Sequence, residues 1–396
     1  MTKILLALGV FGLITSSVYT MMVFGGVSRF LRARRRRTAT SLLPPLSLFK
    51  PLHGAEPSLD VHLASFFEQD YPAFEILFCA RESEDAGLEI ARRVAARYPL
   101  IRARFLSVSG PTYVNAKVSS LERMASVAAF DIFVISDSDV RVTPNYLREL
   151  AVDFADPQVG ASTCLYRGVA PRGLWAQLEA AGMSVEMTSG VMAASLMEEM
   201  GFLLGPTMSV RRRCVDEMGG FATLGAYCSD DFLLGRQVAA LGDKVVLSSH
   251  VIDHIILNLD FTTSIKHQVR WMKSTRFSRP KGHFGTGLTF CVPFGVLACA
   301  AALALGHLLA AAALLLYSIA NRMALAAAVS GWVVRDKAPV RTLLLYPLRD
   351  LMGFFYWAAS YTSGTILWRG KLYRLGEHGL MHADGEERER ISGTAG

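Results

Sequence analysis

"FDIFVISDSDV", residues 130–140, decides how the chain is read. An apolar run from Ile132 to Ile135 ends in two aspartates, Asp137 and Asp139, that flank a serine. A short apolar run bounded by polar residues reads as a buried strand. In open α/β sheets, ligands bind beyond the carboxyl ends of the strands, and both carboxylates stand at that end. Alternation puts them on one side if the chain stays extended. Two neighbouring carboxylates repel unless a cation intervenes. Mg²⁺ or Mn²⁺ takes hard oxygen ligands and bridges to a diphosphate, neutralising charge as that group leaves. The competing reading of Asp-Ser-Asp is a turn, which favours the same residues.

The flanks repeat the pattern. "LSLFKPL" (46–52) and "FEILFCA" (74–80) are further apolar runs bounded by Pro or Gly. "DAGLEIARRVAARY" (85–98) is helical, with Leu88, Ile90, Ala91, Val94 and Ala95 at a 3.6-residue spacing. "IRARFLSV" (101–108) suits another strand, and "KVSSLERMASVAA" (117–129) a second amphipathic helix. Strand, helix, strand, helix, strand is the rhythm of an α/β domain with a mostly parallel sheet covered on both faces.

The wider composition points to a membrane. The chain has 396 residues, 52% of them hydrophobic, and a net charge of +7. Arg29, Arg32, Arg34, Arg35, Arg36 and Arg37 supply most of that charge. The remainder is close to neutral, which excludes a broad nucleic-acid surface. The cysteines contain no C-x-x-C pair, so neither a disulfide framework nor a structural zinc site is expected. Ile4 to Val27 carries no charge. It is long enough to span a bilayer and is expected to be a retained anchor rather than a cleaved signal peptide. The arginines that follow predict a cytoplasmic catalytic domain. Apolar character returns at Phe284. Residues 284–334 can hold two spans joined near Gly306 and His307, the second interrupted by Asn321 and Arg322. Residues 343–367 offer a third, broken by Pro347, Arg349 and Asp350. The expected division is therefore an anchor (1–28), a basic juxtamembrane linker (29–45), a catalytic domain (46–283), C-terminal membrane helices (284–368) and a polar tail (369–396). Whether the last apolar segment spans or re-enters stays open, and so does the side of the tail, where Arg369, Lys371 and Arg374 favour the cytoplasm.

Three more stretches join the Asp137 triplet: "LFKPLHGAEPSL" (48–59) followed by "FFEQDYPAFEILFCARESED" (66–85), then "AYCSDDFLLGR" (226–236), then "IKHQVRWMKSTR" (265–276). Their order and spacing resemble the ceramide glucosyltransferase group, glycosyltransferase family 21, which is related to family 2. The likeness runs from about Leu46 to Leu375, including "WRGKLYRL". It implies a GT-A-type nucleotide-sugar transferase fold and a bacterial-type member in the inner membrane. By that resemblance, Lys50, Glu82 (with Asp85 as the alternative), Lys117 of "NAK" (115–117), Asp137, Arg270 and Trp271 meet the nucleotide sugar. Asp137 and Asp139 hold Mg²⁺ or Mn²⁺. Asp231, preceded by Asp230, is the general base. The last motif of the family reads (Gln/Arg)-x-x-Arg-Trp; here His267 departs from it, while Arg270 and Trp271 fit.

Chemistry agrees with those residue types. An acceptor hydroxyl is a poor nucleophile near neutral pH, and a positioned carboxylate can accept its proton. In-line attack inverts the anomeric centre. The leaving diphosphate needs positive charge, which Arg270 and a cation can supply. The plainer reading of Asp230–Asp231 is helix capping. "MSVEMTSGVMAASLMEEMGFLLGPTM" (183–208) is either a greasy floor or lid for a lipid acceptor or an ordinary core helix. "SIKHQVRWMKSTRF" (264–277) suits an interfacial or a buried amphipathic helix. The resemblance implies one sugar, glucose first, transferred from a UDP-sugar to a membrane lipid such as ceramide as a β-glycoside. Transfer of N-acetylglucosamine to a hopanoid polyol is the rival. A processive synthase usually needs more spans than the roughly four counted here. A non-enzymatic polybasic scaffold on anionic lipid leaves the acidic motifs unexplained.

Overall fold

The computed structural model describes residues 1–37, 42–108, 113–258, 260–368 and 370–383. Part of the basic linker, Arg369 and the polar tail beyond Ala383 lie outside the described residues. The chain forms two compact units, each built from segments distant in sequence.

One unit comprises Arg37–Leu165, Met200–Ile255 and the chain from Leu367 onward. Its sheet contains β1 (Leu46–Pro51), β2 (Phe74–Ala80), β3 (Arg102–Ser107), β4 (Ile132–Ser136), β5 (Val140–Arg141), β6 (Val159–Val169), β7 (Thr207–Arg211) and β8 (Lys244–Ile255). Their order is β3-β2-β1-β4-β7-β6-β8-β5. The pairs β3/β2, β2/β1 and β1/β4 are parallel, as the strand–helix rhythm predicts. Beyond β4 the sheet turns antiparallel, at β4/β7, β7/β6 and β8/β5. It is therefore mixed. Helix Ala116–Ala125 turns Val118, Leu121 and Met124 onto Phe49, Leu77, Phe133 and Ile135, and all of these side chains are buried. The Phe49 and Phe133 rings stack at 4.8 Å. Each such fully buried side chain contributes about 1.5–3 kcal/mol, enough to hold the ends of β1 and β4 side by side.

Three shorter strands, β9 (Thr365–Trp368), β10 (Lys371–Leu375) and β11 (Met381–Ala383), make a second sheet in the order β11-β10-β9.

The other unit comprises Met1–Arg36, Tyr166–Glu199 and Ile256–Ile366, and is helical. Two of its helices, Thr2–Arg36 and the stretch Leu308–Val333, are long and apolar enough to cross a membrane. Val292–Ala304 is apolar but shorter. Gly9 and Gly12 let the first helix approach it closely: an added Cβ would stand 2.8 Å from Ala298 and 2.0 Å from Phe294. Small residues serve this purpose where helices pack in lipid. The polar interruptions in the apolar segments find one another. Buried Arg322 pairs with Asp350 at 3.4 Å and donates to Thr20 Oγ1 at 2.8 Å. Asp350 also accepts from the backbone N–H groups of Cys291 and Val292, at the start of the Val292–Ala304 helix. Pro347 sits inside the Pro339–Ala359 helix.

Candidate active site

The Asp137 triplet does not stay extended. The Val140 N–H reaches back to the Asp137 carbonyl oxygen at 3.4 Å, and the Asp137 N–H donates to Pro206 O at 3.2 Å. The chain turns here, and the two carboxylates take different partners. Asp137 Oδ1 lies 2.7 Å from Lys117 Nζ. Asp139 Oδ2 lies 3.0 Å from His254 Nε2. Burial opposes ionisation of Asp139, but the His254 ring outweighs it and holds this carboxyl below the usual carboxylate range.

Lys117 is the hub. It begins the Ala116–Ala125 helix, which Asn115 caps by accepting from the Lys117 N–H at 3.1 Å. Its ammonium faces Asp137 and stands 3.8 Å from Asp230 Oδ2. Burial works against its charge, yet Asp137, Asp230 and Asp231 raise its pKa above the ordinary lysine value. Buried Asn115 donates to Asp230 Oδ1 at 3.2 Å and to Tyr227 O at 3.0 Å. "NAK" and "SDD", far apart in sequence, are thereby locked together.

Asp230 and Asp231 open the Asp230–Ala240 helix. Asp231 Oδ1 accepts from the Phe232 N–H at 2.8 Å, a bond typical of a helix start. Its Oδ2 faces Gly205, where an added Cβ would stand 3.0 Å away, so glycine keeps that oxygen uncrowded. Burial and the neighbouring Asp230 charge push the Asp231 pKa up to about 6, against the pull of Lys117. A carboxylate poised there suits proton abstraction near neutral pH.

Lys50 is wholly buried at the end of β1 and donates to the Asp137 carbonyl oxygen at 2.5 Å. Its ammonium lies 3.8 Å from the centre of the Phe66 ring. Burial lowers its pKa to about 7 despite Asp137 and Asp139. Lys50 thus holds the turn from beneath. Asp85 caps the Ala86–Ala95 helix through the Gly87 N–H at 2.7 Å and also accepts from the Gly54 N–H at 2.9 Å. Glu82 stands exposed just before it.

A pocket opens at the carboxyl ends of β1 and β2. Pro51, Leu52, His53, Arg81, Ala116 and Lys117 line one side, and residues of β9 and β10 line the other. Lys117 was expected there from the sequence. His53 and Arg81 lie inside the stretches 48–59 and 66–85 but were assigned no role there.

His267, Arg270 and Trp271 lie on the Phe261–Ser278 helix, which belongs to the helical unit. His267, the residue that departs from the family pattern, pairs with buried Glu179 at 2.6 Å and packs on Trp271 with ring centres 4.3 Å apart. Asn258 and Ser264 also donate to Glu179. Nothing in the sequence around Glu179 marks it as this partner.

Asp139 Oδ1 is buried without a hydrogen-bond partner. Among the described residues, no three His, Cys, Asp or Glu side chains converge closely enough to hold a metal ion by themselves. The donor set fits a divalent cation that takes its remaining ligands from phosphate oxygens, as Mg²⁺ commonly does.

A parallel sheet that turns antiparallel beyond a D-x-D strand, with a polar pocket at its carboxyl edge, defines a glycosyltransferase of the GT-A type. A mannosyltransferase from Pyrobaculum calidifontis, solved with GDP-mannose and Mn²⁺, shares the fold with a TM-score of 0.53 and 20% identity, over 87% of this chain and 99% of its own. The profile of glycosyl transferase family 21 matches residues 8–381, and the chain belongs to that family. It is similar to ceramide glucosyltransferase 3 of Caenorhabditis elegans, 23% identical over 85% of this chain and 73% of the relative. It is likewise similar to ceramide glucosyltransferase 1 of that organism, 23% identical over 91% and 78%. The chain is thus an enzyme and not a passive scaffold.

Proposed function

We propose that the protein transfers one glucose from UDP-glucose to the primary hydroxyl of a ceramide-like lipid at the cytoplasmic face of a membrane, with inversion to a β-glycoside. The observation that carries this reading is Asp231: a carboxylate with one uncrowded oxygen and a raised pKa, one lysine away from the D-x-D turn. The names of the two nematode relatives favour ceramide and glucose over a hopanoid and N-acetylglucosamine.

Each group has a task in this scheme. The pocket beside His53 and Arg81 takes the nucleotide. Lys117 lines that pocket and pairs with Asp137, where it draws the diphosphate toward the carboxylates. Asp137 and Asp139 would hold Mg²⁺ or Mn²⁺ together with the diphosphate; when bound, the ion offsets the charge that builds on the leaving group. Asp231 accepts the hydroxyl proton as the new bond forms. Asp230, held by Asn115, keeps the base pair of carboxylates in place. The candidate spans fit an integral membrane enzyme that acts on a lipid.

A labelled-donor screen tests this. Membranes containing the protein are incubated with radiolabelled UDP-glucose or UDP-N-acetylglucosamine and a panel of ceramide, diacylglycerol and hopanoid acceptors. Label from UDP-glucose in the ceramide fraction alone, abolished by a chelator, is expected. Label in no lipid, or only in a hopanoid, contradicts the reading.

A further inference from the structure

We infer that the strands following the last helix are the second wall of the donor pocket: Tyr373 and Trp368 flank the nucleobase and Lys371 takes part of the diphosphate charge. This rests on the donor reading above and goes beyond it: the family likeness reaches "WRGKLYRL" but assigns no role to Trp368, Lys371 or Tyr373.

Trp368, Lys371 and Tyr373 line the pocket together with the ends of β1 and β2. Lys371 and Tyr373 are two residues apart on β10, so strand alternation presents both to the same face. Leu372, between them, points the other way and is 44% exposed. Trp368 and Tyr373 bring aromatic surface to a pocket that Pro51 and Leu52 also line, a lining on which a flat heterocycle can pack. Lys371, Arg81 and Lys117 line the same pocket, and three cations there suit a nucleoside diphosphate.

The strands are built in, not draped over. The Cys228 N–H donates to Gly379 O at 3.0 Å and the Met381 N–H to Ala226 O at 2.8 Å, around a bridge between Tyr227 and Leu380. β10 pairs antiparallel with β11 through Leu375–Met381, and both of these side chains are buried. The segment gripped in this way, Ala226–Cys228, runs directly into Asp230 and Asp231. Donor binding against β10 is therefore mechanically continuous with the loop that carries the base.

Full-length protein in detergent, with UDP as the probe, tests the assignment by calorimetry and by competition with uridine. Tyr373→Ala should weaken UDP and uridine alike, about tenfold, and Tyr373→Phe should restore both. Lys371→Ala, at an exposed position that the fold does not need, should weaken UDP several-fold and leave uridine unchanged. Leu372→Ala should alter neither. In turnover assays the Tyr373 and Lys371 variants should raise the donor KM while acceptor KM and kcat stay near wild type. Wild-type binding of UDP with unchanged affinity in Tyr373→Ala and Lys371→Ala overturns the hairpin wall and leaves the donor reading standing. Wild-type protein that binds no UDP overturns both.

Discussion

Asp231 owes its chemistry to two neighbours that pull in opposite directions. Burial and Asp230 raise its pKa to about 6, and Lys117 restrains the rise. As the proposed base, Asp231 must be ionised to act, so kcat/KM should fall as pH drops through about 6, with a single-proton limb. Replacing Lys117 by Met removes the restraining charge. The limb should then move to higher pH, whatever is lost in absolute rate, and a pH profile of that variant reads the shift directly; a limb that stays put would detach Lys117 from Asp231. Asp231→Asn keeps the size and the bond to the Phe232 N–H but cannot take a proton. It should retain UDP binding and lose about 10²–10⁴-fold in kcat. A near-normal kcat would leave helix capping as the better account of this residue. Asp137→Ala should abolish metal-stimulated turnover while near-native helix content persists in circular dichroism.

The elements around these residues were unevenly legible. β1, β2, β4 and the two amphipathic helices follow from apolar runs and 3.6-residue spacing, because burial there is decided by local pattern. The turn at Asp137–Val140 was not decidable: Asp-Ser-Asp serves an extended strand end and a turn equally well, and it is Pro206, on the chain entering β7, that fixes the outcome. The antiparallel half of the sheet and the strands after the last helix depend on pairings between distant segments, which a sequence pattern does not register. Asp85 shows the same limit from the other side. Its place in "RESED" offered a nucleotide contact as the alternative to Glu82, while in the fold its carboxylate is bound to Gly87 and Gly54. Asp85→Ala should cost about 1 kcal/mol as a lost cap. It should also loosen the Gly54 loop next to His53, raising donor KM. Thermal unfolding and steady-state kinetics on the same sample check both, and an unchanged Tm would contradict the structural half.

At the scale of the whole molecule, one connection constrains topology. β10, β11 and Asp231 belong to the same folded unit, so they must lie on one side of any membrane. If Leu308–Val333 crosses a membrane, as its length and apolar character allow, the chain from Ile256 to Ile366 must return to the same side. The account therefore expects β10 and β11, with Lys371 and Arg374, on the same side as Asp231. An epitope after Ala383 and one in the exposed Glu82–Glu84 loop should show identical antibody access in intact and in permeabilised cells; opposite access would break the unit apart. The mechanism as a whole turns on a single displacement at the sugar. The most direct measurement is the anomeric configuration of the product made from UDP-[¹³C]glucose and ceramide, read by the one-bond C–H coupling in NMR. The account predicts a β-glucoside throughout the time course. An α-glucoside would require a second displacement or a different chemistry, and would contradict Asp231 as the base of an inverting transfer.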